Sequence, residues 1–138
     1  MELVIIPIVI IFLSQALKLL TDGIKGNFDL TNIYNTYGGM PSTHTAFITS
    51  LGILIAIKDG LDSTSFAIWF ILAVVVIRDA LGLRQEVSRH SQAIKKIVKG
   101  KDISIPPLNT RVGHKPKEVI AGFLFGITAT LIIKFLIL

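Results

Sequence analysis

Val119-Ile120-Ala121-Gly122-Phe123-Leu124-Phe125-Gly126-Ile127-Thr128-Ala129-Thr130-Leu131-Ile132-Ile133-Lys134-Phe135-Leu136-Ile137-Leu138 decides the fold class. These twenty residues carry one charge, and as a helix they reach across the roughly 30 Å of a bilayer's hydrocarbon. Leu3–Leu20 is a second stretch of the same kind. Thr45–Ile57 and Phe66–Ile77 are shorter, but they approach spanning length once their polar ends, Ser42–Lys58 and Ser65–Leu83, are included. An apolar content of 51% and a mean hydropathy of +0.70 are too high for a soluble chain of 138 residues. The reading is all-α: one integral membrane helical bundle over residues 1–138, with about four transmembrane helices.

The first stretch is not expected to be a secretory leader. Its start, Met1-Glu2, has no positive charge, and Gln15 and Lys18 fall where a small-residue cleavage site belongs, so the helix is expected to be retained. The chain has no cysteine, which excludes disulfides and thiolate metal sites. Drawing four crossings puts twelve of the fourteen Lys and Arg residues on one face and leaves Lys58 and Lys134 for the other. The positive-inside rule then places the loaded face in the cytoplasm and both termini outside. Cations recruited to bind phosphate raise the same count.

Small and hydroxylated residues (Thr45, Ala46, Thr49, Ser50, Gly52, Ala56) place the second helix in the bundle interior. Asp62 or Ser63 is expected to cap the third helix, which ends in Arg78-Asp79. Beyond it, Leu83, Val87, Ile94, Ile97 and Val98 recur at helical spacing among Arg84, Arg89, Lys95 and Lys96. This is a basic amphipathic helix, lying on the cytoplasmic leaflet or extending the third. His90 reads as a solvated residue of it. Pro106-Pro107 makes 101–111 a linker.

Two polar thresholds precede apolar helices. Gly38-Gly39-Met40-Pro41-Ser42-Thr43-His44 opens the second, with Pro41 expected in its first turn and Ser42 or Thr43 as cap. Gly113-His114-Lys115-Pro116-Lys117-Glu118 opens the fourth. Free N–H groups at a helix start suit an anion. His114 and Glu118 are four apart, so on a helix the carboxylate can hold one imidazole nitrogen while the other points out. One end of the bundle then collects Lys18, Lys25, Gly39, Ser42, Thr43, His44, Arg78, Arg84, His114 and Glu118. Cations, hydroxyls and helix N-termini neutralise a tetrahedral anion; one histidine can attack phosphorus and a second can protonate the leaving oxygen. No acidic cluster suited to a metal ion is evident, and no cofactor is expected.

This arrangement resembles the type-2 phosphatidic acid phosphatase and vanadium haloperoxidase superfamily, and more closely its small divergent membrane branch. The pattern Pro-Ser-Gly-His corresponds to Pro41-Ser42-Thr43-His44, with Thr for Gly and Gly39 nearby. The pattern Ser-Arg, five residues, His, three residues, Asp is matched in its latter half by His114 and Glu118, with Glu for Asp. Its arginine is missing, because position 108 is Leu, and Arg84, Arg78 and then Arg111 are the substitutes. Lys18, followed after six residues by Lys25-Gly26, loosely matches the lysine motif.

The resemblance implies His114 as the nucleophile of a phosphohistidine, Glu118 as its orienting partner and His44 as acid on the leaving group. It implies Lys18, Ser42 and an arginine as phosphate ligands. The function expected is a metal-independent lipid phosphate phosphatase at the cytoplasmic leaflet, acting on phosphatidylglycerophosphate or phosphatidic acid. A prenyl diphosphate phosphatase and a non-enzymatic module binding anionic lipid are the alternatives. Nucleic acid is not among the expected partners. Because relatives usually have about six helices, a homodimer is expected, packed through the small-residue faces of the second and fourth helices.

Overall fold

A computed structural model describes residues 1–21, 39–106, 108 and 113–137. The aromatic loop with Lys25, the residue Gly38 and the residue Arg111 lie outside the described residues. Every regular element among the described residues is helical: α1 (Glu2–Thr21), α2 (Thr43–Asp59), α3 (Thr64–Leu81), α4 (Leu83–Val98) and α5 (Pro116–Ile132), the last continued by a π-helical turn, Ile133–Ile137. α5 begins at the polar threshold as expected, with Pro116 as its first residue. The reason is local: a proline needs no N–H partner at that position, and Glu118 reaches back to the backbone N–H of Lys115 at 3.2 Å.

Ser42 caps α2, its Oγ accepting from the backbone N–H of Thr45 at 3.4 Å. Pro41, expected inside the first turn, instead precedes the cap and follows a cis peptide bond. Ser63 caps α3, accepting from the N–H of Phe66 at 3.1 Å. Gly82 separates α3 from α4; its N–H closes back on the carbonyl of Arg78, and its own dihedrals are not helical.

α2 is the centre, packed against α1, α3 and α5. Its contact with α5 is parallel and very close. A Cβ on Gly122 falls 2.4 Å from the Ser42 carbonyl oxygen, and one on Gly126 falls 2.7 Å from the Ala46 carbonyl oxygen. One turn further on, Thr130 Oγ1 donates to Ser50 Oγ at 2.8 Å. The two glycines, four apart, let two backbones touch, and a hydroxyl pair continues the seam. Their other neighbours explain the remaining packing: Trp69 of α3 lies against Gly52 and donates its indole N–H to the Ile48 carbonyl at 2.7 Å. Glu2 and Lys134 pair at the far end, closing α1 onto the end of α5.

The interior holds Ser14, Thr45, Thr49, Ser50 and Thr130 beside an apolar cluster of Ile6, Ile10, Ala46 and Leu54, whereas Phe12, Ile68, Ile71, Phe123 and Leu136 point outward. Small polar residues inside and large apolar ones outside invert the soluble pattern and fit a bundle whose solvent is lipid. The continuous stretch Thr64–Val98 and the helix Pro116–Leu136 are long and apolar enough to cross a membrane. The structure is an all-α membrane helical bundle with a basic amphipathic helix. The small-residue faces expected to join two copies are occupied within one chain, α2 against α5, because glycine and serine meet there at backbone contact. A homodimer needs another surface.

Replacing Gly122 with Val should force this seam apart, lowering stability by roughly 1–3 kcal/mol. Phe123→Ala, on the outward face beside it, should change stability by less than about 0.5 kcal/mol. Thermal unfolding of the two variants in the same detergent checks the difference.

Candidate active site

The α2–α5 seam fixes the two polar thresholds against each other: the N–H of Ser42 donates to the Glu118 carbonyl at 2.9 Å. His44, in the first turn of α2, and His114, two residues before α5, consequently face each other with ring centroids 6.3 Å apart at 62°. His114 is fully buried. Its Nδ1 lies 3.0 Å from Glu118 Oε2. A carboxylate only accepts, so Nδ1 carries the proton and Nε2 keeps its lone pair. Among the described residues, His114 Nε2, His44 Nδ1 and Thr43 Oγ1 are buried with no hydrogen-bond partner. Three unsatisfied polar atoms in one neighbourhood are unusual and need a reason.

The backbone of His114 is gripped from α3 and α4. Its N–H donates to the Ala80 carbonyl at 3.1 Å, and Gln85 Nε2 donates to its carbonyl at 2.6 Å. Gly113 admits this grip, since a Cβ there falls 2.6 Å from Gln85 Cγ. The Gly82 break turns α4 so that its first turn meets the segment carrying His114.

Cations approach from two sides. Lys18, near the end of α1, is buried, and Arg84 of α4 is ion-paired to Asp79 of α3 at 2.6 Å. Both charges act on both imidazoles. For His114, burial is the largest effect and drives its pKa below the ordinary 6.5; the Glu118 hydrogen bond pushes the other way, and Lys18 adds to the lowering.

Of the residues singled out from sequence, Lys18, Ser42, Thr43, His44, Arg84, His114 and Glu118 gather at one end of the bundle, and Gly39 precedes them with φ 110°. Ser42 is engaged as the α2 cap and takes the hydroxyl of Thr45 at 3.0 Å. Arg78 does not join them. It is exposed and lines a groove of about 460 Å³ with Val74, Ile77, Leu81 and Gly82. Ala73 and Ala80 mark the packed side of α3, and Arg78 lies two residues, about 200° of helix, before Ala80. Lys25 and Arg111 lie outside the described residues. Sequence reasoning missed Gln85 and the carbonyl of Ala80. The first looks like any solvated position of a basic helix, and a backbone acceptor has no signature.

A family model described as the divergent PAP2 family matches residues 1–129. The chain belongs to the divergent PAP2 family. A family relative from Bacillus subtilis (strain 168), described as the uncharacterized membrane protein YuiD, is 34% identical over 119 residues, covering 75% of each chain. No solved structure gives a significant match. For a divergent PAP2 protein, the departures noted in the motifs now have surroundings: Thr43 stands beside the His44 turn, and Glu118 serves both His114 and the α5 start.

Gln85→Ala should leave the His114 carbonyl unpaired and cost about 1–3 kcal/mol of stability. Hydrogen exchange at the His114 amide should accelerate in this variant while the Trp69 indole N–H stays protected, a contrast that NMR of the labelled protein reads directly.

Proposed function

We propose that the protein is a metal-independent lipid phosphate phosphatase working through a phosphohistidine. One observation carries this reading: a buried imidazole whose Nδ1 is held by a carboxylate and whose Nε2 has no partner, facing a second imidazole at 6.3 Å. Buried side-chain nitrogens are for the most part hydrogen-bonded, so an unpartnered one calls for a ligand. Here the nitrogen left over is the one with the lone pair. Membership of the divergent PAP2 family supports a phosphatase-related role.

The chemistry follows from the groups present. A phosphate monoester enters with its oxygens toward Lys18, Arg84 and the start of α2, where unpaired N–H groups favour an anion. His114 Nε2 attacks phosphorus, forming the N–P bond as the ester P–O bond breaks. His44, protonated once the negative charge of the bound phosphate offsets Lys18 and Arg84, gives its proton to the departing oxygen, which leaves as the alcohol. Glu118 stabilises the positive charge that develops on the His114 ring. Water then attacks the phosphohistidine, His44 takes back a proton, and phosphate leaves with His114 restored. Thr43 Oγ1, buried without a partner, supplies a further donor to a phosphoryl oxygen in this reading.

A site at helix ends suits a substrate whose phosphate lies at the interface while its acyl chains remain in lipid. Phosphatidylglycerophosphate and phosphatidic acid meet that description. The basic surplus of the site end supports a cytoplasmic orientation, with four crossings and both termini outside.

Purified protein incubated with these lipids in EDTA should release phosphate, and acid-labile phosphate should be trapped on it at short times. His114→Ala should abolish turnover while lipid-phosphate binding persists; loss of both together, or binding without turnover in the parent protein, would favour an anionic-lipid module instead. Glu118→Gln should lower kcat about 10²–10⁴-fold with little change in KM.

The pH profile carries a sign. Protonating His114 removes the nucleophile, and its pKa is lowered, so the acid limb of kcat/KM should lie below pH 6.5. Removing the Glu118 charge takes away an effect that raises that pKa, so Glu118→Gln should move the limb further toward acid.

A further inference from the structure

α4 leaves one face without a protein partner. Leu83, Val87, Ile94 and Ile97, spaced by four, seven and three residues, share one side of the helix and are 71%, 50%, 42% and 62% exposed. Ser91, on a neighbouring side, is buried. Lys95 and Lys96 flank the apolar face from both directions, with Lys99 and Lys101 following, all exposed.

Length restricts what can cover this face. Thr64–Val98 is a run of 35 residues, about 52 Å as a straight rod, against roughly 30 Å of hydrocarbon. α3 alone, with 18 residues, uses about 27 Å of that. α4 therefore begins where the hydrocarbon ends. An apolar stripe edged by lysines at that depth is complementary to an anionic leaflet, acyl chains below and negative headgroups beside.

The first turn of the same helix holds the site. Arg84 is paired to Asp79, and Gln85 donates to the His114 carbonyl across a contact so close that Gly113 is needed there. A tilt of α4 moves both. We propose that α4 is an anionic-lipid sensor: seating its Leu83–Ile97 face in a negatively charged leaflet fixes the Gln85 grip on His114, and release from that leaflet loosens it. Such a sensor rests on the phosphatase reading for its purpose, acting to confine turnover to a bilayer of the right charge.

Two measurements without turnover test it, so that it and the phosphatase reading can fail separately. The chain lacks cysteine, so Ile94→Cys takes a single environment-sensitive fluorophore in the full-length protein. In nanodiscs of phosphatidylcholine mixed with phosphatidylglycerol the probe should enter an apolar environment, and in phosphatidylcholine alone it should stay largely in water. Lys95→Gln and Lys96→Gln should each lower the ratio of docked to undocked helix about fivefold. With three histidines in the chain, the His114 ring ¹⁵N signals are identified by their loss in His114→Asn, and they should shift in step with docking. A probe in water in both discs, a probe equally embedded in both, or docking that leaves the His114 signals unmoved would each overturn the sensor.

Discussion

The site depends on one contact, the seating of Gly122 on the backbone of Ser42. Helix ends in a membrane bundle are otherwise free to slide, because lipid tails solvate apolar side chains as well as other helices do. Backbone touching backbone at Gly122 and Gly126 removes that freedom and sets the register of α5 against α2. The Ser42–Glu118 hydrogen bond and the Thr130–Ser50 pair sit at either end of the same seam. The histidines face each other because the helices behind them cannot shift.

Much of this architecture was legible in the chain. Apolar run lengths locate the spanning helices and small residues mark α2 as central. The spacing of His114 and Glu118 points to their pairing, although His114 precedes the helix and meets Glu118 at its N-terminal cap rather than on a shared helical face. What sequence could not supply were angles and backbone partners. Arg78 and Arg84 are equivalent candidates on paper. Only the rotation of α3 about its axis, set by Ala73 and Ala80, and the turn at Gly82 separate them, sending Arg78 outward and Arg84 onto Asp79. Small-residue spacing marks the glycine stripe as a meeting face, but periodicity does not say whether the partner is another helix of the same chain.

Four elements share the labour of assembling the candidate site, and each contributes what its end provides. The last turn of α1 brings a buried lysine; the first turn of α2 brings a hydroxyl and an imidazole; the α3–α4 break supplies a paired arginine and two hydrogen bonds to the His114 backbone; the approach to α5 supplies the second imidazole with its carboxylate.

Glu118 has two simultaneous duties, and these bear on why this chain has a glutamate where the superfamily pattern it resembles has an aspartate. Its Oε2 accepts from the His114 ring at 3.0 Å and from the Lys115 N–H at 3.2 Å, so a single oxygen both steers an imidazole and starts a helix. An aspartate is one methylene shorter and must abandon one of those donors or draw the helix start inward. In this protein the longer arm is thus a matter of reach rather than of acidity, and the residue at 118 is coupled to where its helix begins.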